Sequence, residues 1–197
     1  MKRYIARKCP QYLTKHYSIK GAKEALEGFG KGREVCCVTH GQFSLADVLE
    51  VIIEGCQPLQ AVDISTWTAA GWDAARMLEL VEQSGGAGMR WVVDSIFVNR
   101  QPELCEALLQ SGAEMRIMKT HAKFALISGG GRKVTVRTSM NLNANPRWEF
   151  VEASESAELW GFFSSLVDGV FSSEEAGRVR LSDLETEDGG EKWEFNL

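Results

Sequence analysis

The 197-residue sequence has no window approaching the roughly 18 consecutive apolar residues that a membrane span needs. No apolar stretch follows the opening Met1-Lys2-Arg3 to form a leader segment. It has no paired CxxC spacing either. Its five cysteines, Cys9, Cys36, Cys37, Cys56 and Cys105, are odd in number, which points away from a disulfide framework and a zinc site. Histidine is scarce: His16, His40 and His121 are the whole supply. The expectation is a soluble, cytoplasmic chain with no membrane partner, no cofactor and no metal.

What is present suits one ordinary domain, with 44% hydrophobic residues to build a core. A net charge of −5 argues against a protein that coats nucleic acid indiscriminately. The charge is unevenly spread, however. Residues 1–33 carry nine Lys and Arg against Glu24 and Glu27, whereas Asp and Glu dominate from Glu174 onward. This divides the chain into a basic arm or helix at 1–33, a globular domain at 34–173 and an acidic tail at 174–197.

Within the domain, strand and helix signals alternate. Glu34–Thr39 is a β-branched and small apolar run. Ser44 and Asp47 then make a capping-box-like start to a helix whose apolar residues recur through Ile53. The unit recurs as Leu59–Ile64 with a helix near 72–82, and as Met89–Asp94 with a helix near 102–110. Such alternation predicts an α/β domain with a largely parallel sheet, helices on both faces and right-handed crossovers. Glu114–Met118 and Lys123–Ile127 look like further strands. Gly129-Gly-Gly131 then turns the chain into Lys133–Arg137 as a hairpin, and a helix over 159–171 closes the domain.

Ligands of such sheets gather at the carboxyl ends of strands, which selects His40, Ser65 to Thr68, Asp94, Ser95 and the stretch from His121. The glycine cluster at 85–88 follows a helix and precedes a strand, the reverse of a phosphate loop. Cys36 and Cys37 read as small core residues. Trp67, Trp72 and Trp91 read as packing residues beneath helices, and Trp148 is the best candidate for stacking on a base.

His121 and Lys123 stand two apart at the start of a strand, so their side chains are expected on one side of the sheet. Ser139 and Asn141 repeat that spacing on the next strand. Together with Asn145-Pro-Arg-Trp-Glu149, this pattern resembles the phospholipase D superfamily signature of His-x-Lys, a small residue and an Asn two further on. The resemblance covers about residues 34–171. It departs from the signature at Ser128, where the family has Asp, and in a longer gap before Ser139; family members like tyrosyl-DNA phosphodiesterase lack that Asp too.

The resemblance implies a phospholipase D-like half-domain and a metal-independent phosphodiesterase. His121 would be the nucleophile that forms a phosphohistidine. Lys123 and Asn141, helped by Ser139, would hold the phosphoryl oxygens, and Glu149 would orient His121. With no second His-x-Lys, the shared site implies a homodimer, and His40 is the weaker candidate for an internal proton donor. Compact single-motif members of the superfamily without lipid-handling domains are commonly nucleases, so the resemblance implies nucleic acid as the partner, with Lys119, Arg132, Lys133, Arg137, Arg147 and Trp148 as expected contacts. The alternative is a catalytically silent DNA-binding module, favoured by Ser128.

Overall fold

The computed structural model describes residues 12–15, 20–30, 32–143, 146–174, 176–181 and 184. His16, Asn145, the basic residues before Tyr12 and the acidic residues from 185 onward lie outside the described residues. One mixed sheet runs through the molecule. Its strands are β1 (Tyr12–Lys15), β2 (Glu34–Thr39), β3 (Leu59–Thr66), β4 (Gly88–Val93), β5 (Glu114–Ile117), β6 (Phe124–Gly129), β7 (Arg132–Thr138), β8 (Glu149–Ser154) and β9 (Gly177–Arg178). They are ordered β1-β2-β8-β7-β6-β3-β4-β5-β9.

Helices α1 (Ala22–Ala25), α2 (Leu45–Glu54), α3 (Gly71–Gln83), α4 (Ser95–Arg100) and α5 (Pro102–Gln110) pack with the larger core, and α6 (Ala157–Ser172) covers the other face. The expected α/β layering, with helices on both faces, is therefore present. The sheet is less parallel than the alternation alone predicts: among the described residues β1–β2, β3–β4 and β4–β5 pair parallel, and five ladders are antiparallel. The physical reason is the glycine hairpin. It inserts β6, β7 and β8 as an antiparallel meander between β3 and β2, strands that helical crossovers alone would have made parallel neighbours.

Local chemistry accounts for the elements. Ser44 accepts from the Asp47 backbone N–H at 3.2 Å while the Asp47 carboxylate accepts from the Ser44 N–H at 2.7 Å, a complete capping box. From there Leu45, Val48, Leu49, Ile52 and Ile53 bury one stripe of α2. Pro102 opens α5, where its missing N–H is harmless. Burial pushes the Cys105 thiol up to about 12, and burial also raises Cys36 and Cys56. Cys56 and Cys105 are core residues, Cys36 is only half-buried rather than the core residue expected, and all three are poor nucleophiles at neutral pH.

The sheet extends past both expected boundaries. On one side β1 pairs with β2, and α1 buries Ala22 and Ala25 beside α2. On the other, β9 pairs with β5 while Ala176 and Val179 are buried. No helix among the described residues is long and apolar enough to cross a membrane.

The face under α6 is fastened by a charge cluster. Arg90 on β4 donates from Nη2 to Asp63 at 2.7 Å and from Nη1 to Asp168 of α6 at 2.9 Å, and its guanidinium lies 5.2 Å from the Phe171 ring centroid. Asp63 is buried whereas Asp168 is exposed. Asp63→Ala is therefore expected to cost about 2–3 kcal/mol, because it strips a half-buried guanidinium of its dry partner. Asp168→Ala should cost well under about 1 kcal/mol. Urea unfolding of the two variants checks this, and equal costs would contradict it.

Candidate functional site

One edge of the sheet collects the carboxyl ends of β2, β3, β4, β5 and β7 with the amino ends of β6 and β8. The segment leading into β6 is tied down there residue by residue. Met118 N–H donates to Val93 O at 2.9 Å, Thr120 N–H to the Asp94 carboxylate at 3.3 Å, Ala122 N–H to Thr120 Oγ1 at 3.1 Å, and Ser65 Oγ to Ala122 O at 3.0 Å. Strand β6 starts at Phe124, one residue later than expected, although Lys123 O still accepts from Thr138 N–H at 3.2 Å.

The structure does bring His121 and Lys123 together. Lys123 Nζ lies 3.2 Å from His121 Nδ1 and donates to His121 O at 2.9 Å. If the imidazole is neutral, an ammonium donating to Nδ1 places the ring proton on Nε2. Trp67, at the end of β3, lies against the same imidazole with ring centroids 5.4 Å apart and planes tilted by 51°. Burial lowers the pKa of Lys123 from the usual lysine value, and the Glu149 carboxylate works in the opposite direction.

Ser139 and Asn141 are not on a strand as expected, because β7 ends at Thr138. Ser139 Oγ donates to the Glu149 carboxylate in a short hydrogen bond and accepts from Phe150 N–H at 3.0 Å. This staple joins the end of β7 to the start of β8. Glu149 is thus held by Ser139 and acts electrostatically on Lys123, rather than serving as the hydrogen-bonded orienter of His121. Beyond the staple, Leu142 N–H donates to Thr68 O and Ala70 N–H to Leu142 O, which pins the Asn141 segment against the loop after β3. The Asn141 side-chain oxygen is buried with no protein partner.

The expected phosphate contacts separate by position. Lys119, Arg147 and Trp148 are exposed at the site edge. Arg132 and Lys133 begin β7 at the opposite edge, where Arg132 pairs with Glu155 at 3.1 Å and Lys133 lies 4.4 Å from the Trp160 ring centroid. Arg137 is paired with Glu152 at 2.7 Å. Arg132 and Lys133 sit near His121 in sequence only, because the length of β6 and β7 carries them away, whereas Arg137 faces Phe124 at the site end of β7 and is occupied by its cross-strand carboxylate.

Ser128 also lies at the far end, opposite Lys133 and roughly 17 Å along the strand from Lys123. Having Ser there removes no group from the site. His40 is exposed at the end of β2, three strands from β6 and so on the order of 14 Å away. A cavity of about 350 Å³ under α6 is lined by Thr120 and Ala122 with Val92, Phe124 and Val167; its wall holds no charged group and supplies no phosphate ligand.

Strand order, the helix layers and the position of the His-x-Lys segment together define the fold: this chain has the phospholipase D superfamily fold. Among solved structures it is similar to Nuc, a phospholipase D family member of Salmonella typhimurium, with a TM-score of 0.56 and 10% identity over 75% of this chain and 99% of that one. It is also similar to polyphosphate kinase of Porphyromonas gingivalis (TM-score 0.53, 16% identity, 69% of this chain and 26% of that one). Phosphatidylserine synthase of Haemophilus influenzae gives the same TM-score of 0.53, at 14% identity over 72% of this chain and 38% of that one. No protein-family model and no curated protein matches the sequence.

Proposed function

We propose that this chain is a metal-independent phosphodiesterase that cleaves nucleic acid through a phosphohistidine at His121, in a site shared between two copies. The observation that carries the reading is the His121–Lys123 pair, 3.2 Å apart at the ligand-binding edge of the sheet. Lys123 would be the cation that meets a phosphoryl group.

An arriving phosphodiester anion competes with His121 Nδ1 for the Lys123 ammonium. Once Lys123 turns to a non-bridging oxygen, Nδ1 is free to carry the ring proton and Nε2 presents its lone pair. Attack forms the P–Nε2 bond and breaks the P–O bond to the leaving group, whose oxygen takes a proton from His121 of a second copy. Water then gives a proton to that second imidazole and adds to phosphorus, which releases His121 and a phosphomonoester. Asn141 would be the second donor to the phosphoryl oxygens.

The test is hydrolysis of bis(p-nitrophenyl) phosphate in EDTA, with the quenched protein analysed for a phosphoryl adduct. Turnover in EDTA with an adduct on the His121 peptide is expected. Dependence on an added divalent cation, or an adduct elsewhere, overturns the reading. Salt-sensitive DNA binding without turnover would move the protein to the silent binding class.

Lys123 must be protonated to neutralise the developing charge. Its lowered pKa therefore places the alkaline fall of kcat/KM below the ordinary lysine value. Removing the Glu149 charge takes away the influence that raises this pKa, so Glu149→Gln should move the fall to still lower pH. Lys123→Arg should remove the alkaline fall from the accessible range. Full pH–rate profiles of the three proteins check the order.

A further inference from the structure

Large apolar side chains that remain exposed are concentrated at the site edge. Of the five such residues among those described, Trp72 (80% exposed), Met118 (38%), Trp148 (72%) and Phe150 (42%) stand there, and Leu181 does not. Trp72 opens α3 two residues beyond Ala70, whose N–H holds Leu142. Trp148 precedes Glu149, which Ser139 holds. One indole thus stands beside the Leu142 pin and the other beside the Ser139–Glu149 staple of the β7–β8 connection that carries Asn141. Exposed Lys119 and Arg147 stand at the same edge, although the whole chain is acidic at −5. An apolar protein partner accounts for the indoles but not for these cations. A duplex accounts for the cations but presents no open base face to an indole, because its bases are already stacked and paired.

From this edge we infer that the substrate is single-stranded nucleic acid, with unpaired bases stacked on Trp72 and Trp148 and the intervening phosphates led to Lys123 by Lys119 and Arg147. The inference rests on the phosphodiesterase reading for the identity of the site, but it concerns binding. Aromatic platforms bind any base through its π-face, so little sequence preference accompanies them.

The test uses fluorescence anisotropy with a labelled 12-nucleotide strand and its duplex, each titrated with the full chain carrying His121→Ala, so that no cleavage intrudes. Single-strand affinity should exceed duplex affinity. Trp72→Ala and Trp148→Ala should each weaken it about tenfold, with duplex affinity changing less than about twofold, and Trp148→Phe should restore most of the loss. Equal affinity for strand and duplex overturns the inference, as does single-strand affinity indifferent to both tryptophans. Circular dichroism confirms that each variant is folded. Hydrolysis of bis(p-nitrophenyl) phosphate by the unaltered chain separates the two readings. Turnover without tryptophan-dependent strand binding leaves catalysis standing and removes this inference; strand binding without turnover does the reverse.

Discussion

His121→Ala is expected to lower kcat for phosphodiester hydrolysis by about a thousandfold or more, which is what loss of the attacking atom costs when no neighbour replaces it. The nearest alternative imidazole whose position is described, His40, stands three strands away and does not reach phosphorus held at Lys123. The variant should fold normally, because the imidazole is exposed and anchors no buried group; its effect on stability should stay within about 0.5 kcal/mol. Lys123→Ala should cost about a hundred- to a thousandfold, the range for removing one preorganised electrostatic contact to the transition state. The two losses should not add, because the residues act on one phosphoryl group. Single-turnover hydrolysis of bis(p-nitrophenyl) phosphate measures both. Activity within tenfold of normal in His121→Ala would place the nucleophile elsewhere.

The same positions show what is legible in the sequence. The two-residue spacing of His121 and Lys123 survives folding because the segment is extended. The strand-end rule also found the groups that hold it, Ser65 and Asp94. The capping box at Ser44 and Asp47 formed as read, because it depends on four consecutive residues. Contacts that depend on where loops close were not legible, namely Trp67 against His121, Lys123 on Nδ1 and Ser139 on Glu149.

Strand β8 is illegible in the sequence for a different reason. Its outward face mixes exposed Phe150 with Glu152, whose charge is matched by Arg137 on the neighbouring strand, so no clean alternation marks it. Helix α4 is six residues long and runs almost directly into α5. For Arg132 and Lys133, closeness in sequence is misleading. A six-residue strand spans roughly 20 Å, so residues around a hairpin turn lie at the opposite edge from residues at the strand's start.

That turn carries the second large effect. Gly129→Ala is expected to destabilise the fold by about 3 kcal/mol or more, through overlap rather than torsional strain. A methyl group there would stand 2.6 Å from Pro58 O and 2.8 Å from Leu59 Cα, and closer still to Cys56 O. All of these are backbone atoms or are fixed by it, and none can swing aside. Gly130 combines both penalties, with φ of +56° and a methyl position 2.6 Å from Gln57 O. Gly131, at φ of +76° with open space around it, should cost only about 1 kcal/mol on replacement by alanine. Urea unfolding should therefore show a small loss for Gly131→Ala and much larger losses for the other two; three equal losses would contradict the steric account.

The consequence reaches the site, because the turn sets the register in which Phe124 faces Arg137. A one-residue slip there would turn every side chain of β6 to the other face and break the bond from Thr138 N–H to Lys123 O. Gly131→Ala should consequently keep the hydrolysis rate of the unaltered chain at temperatures where it is folded, whereas Gly129→Ala should lose activity in step with its folded fraction.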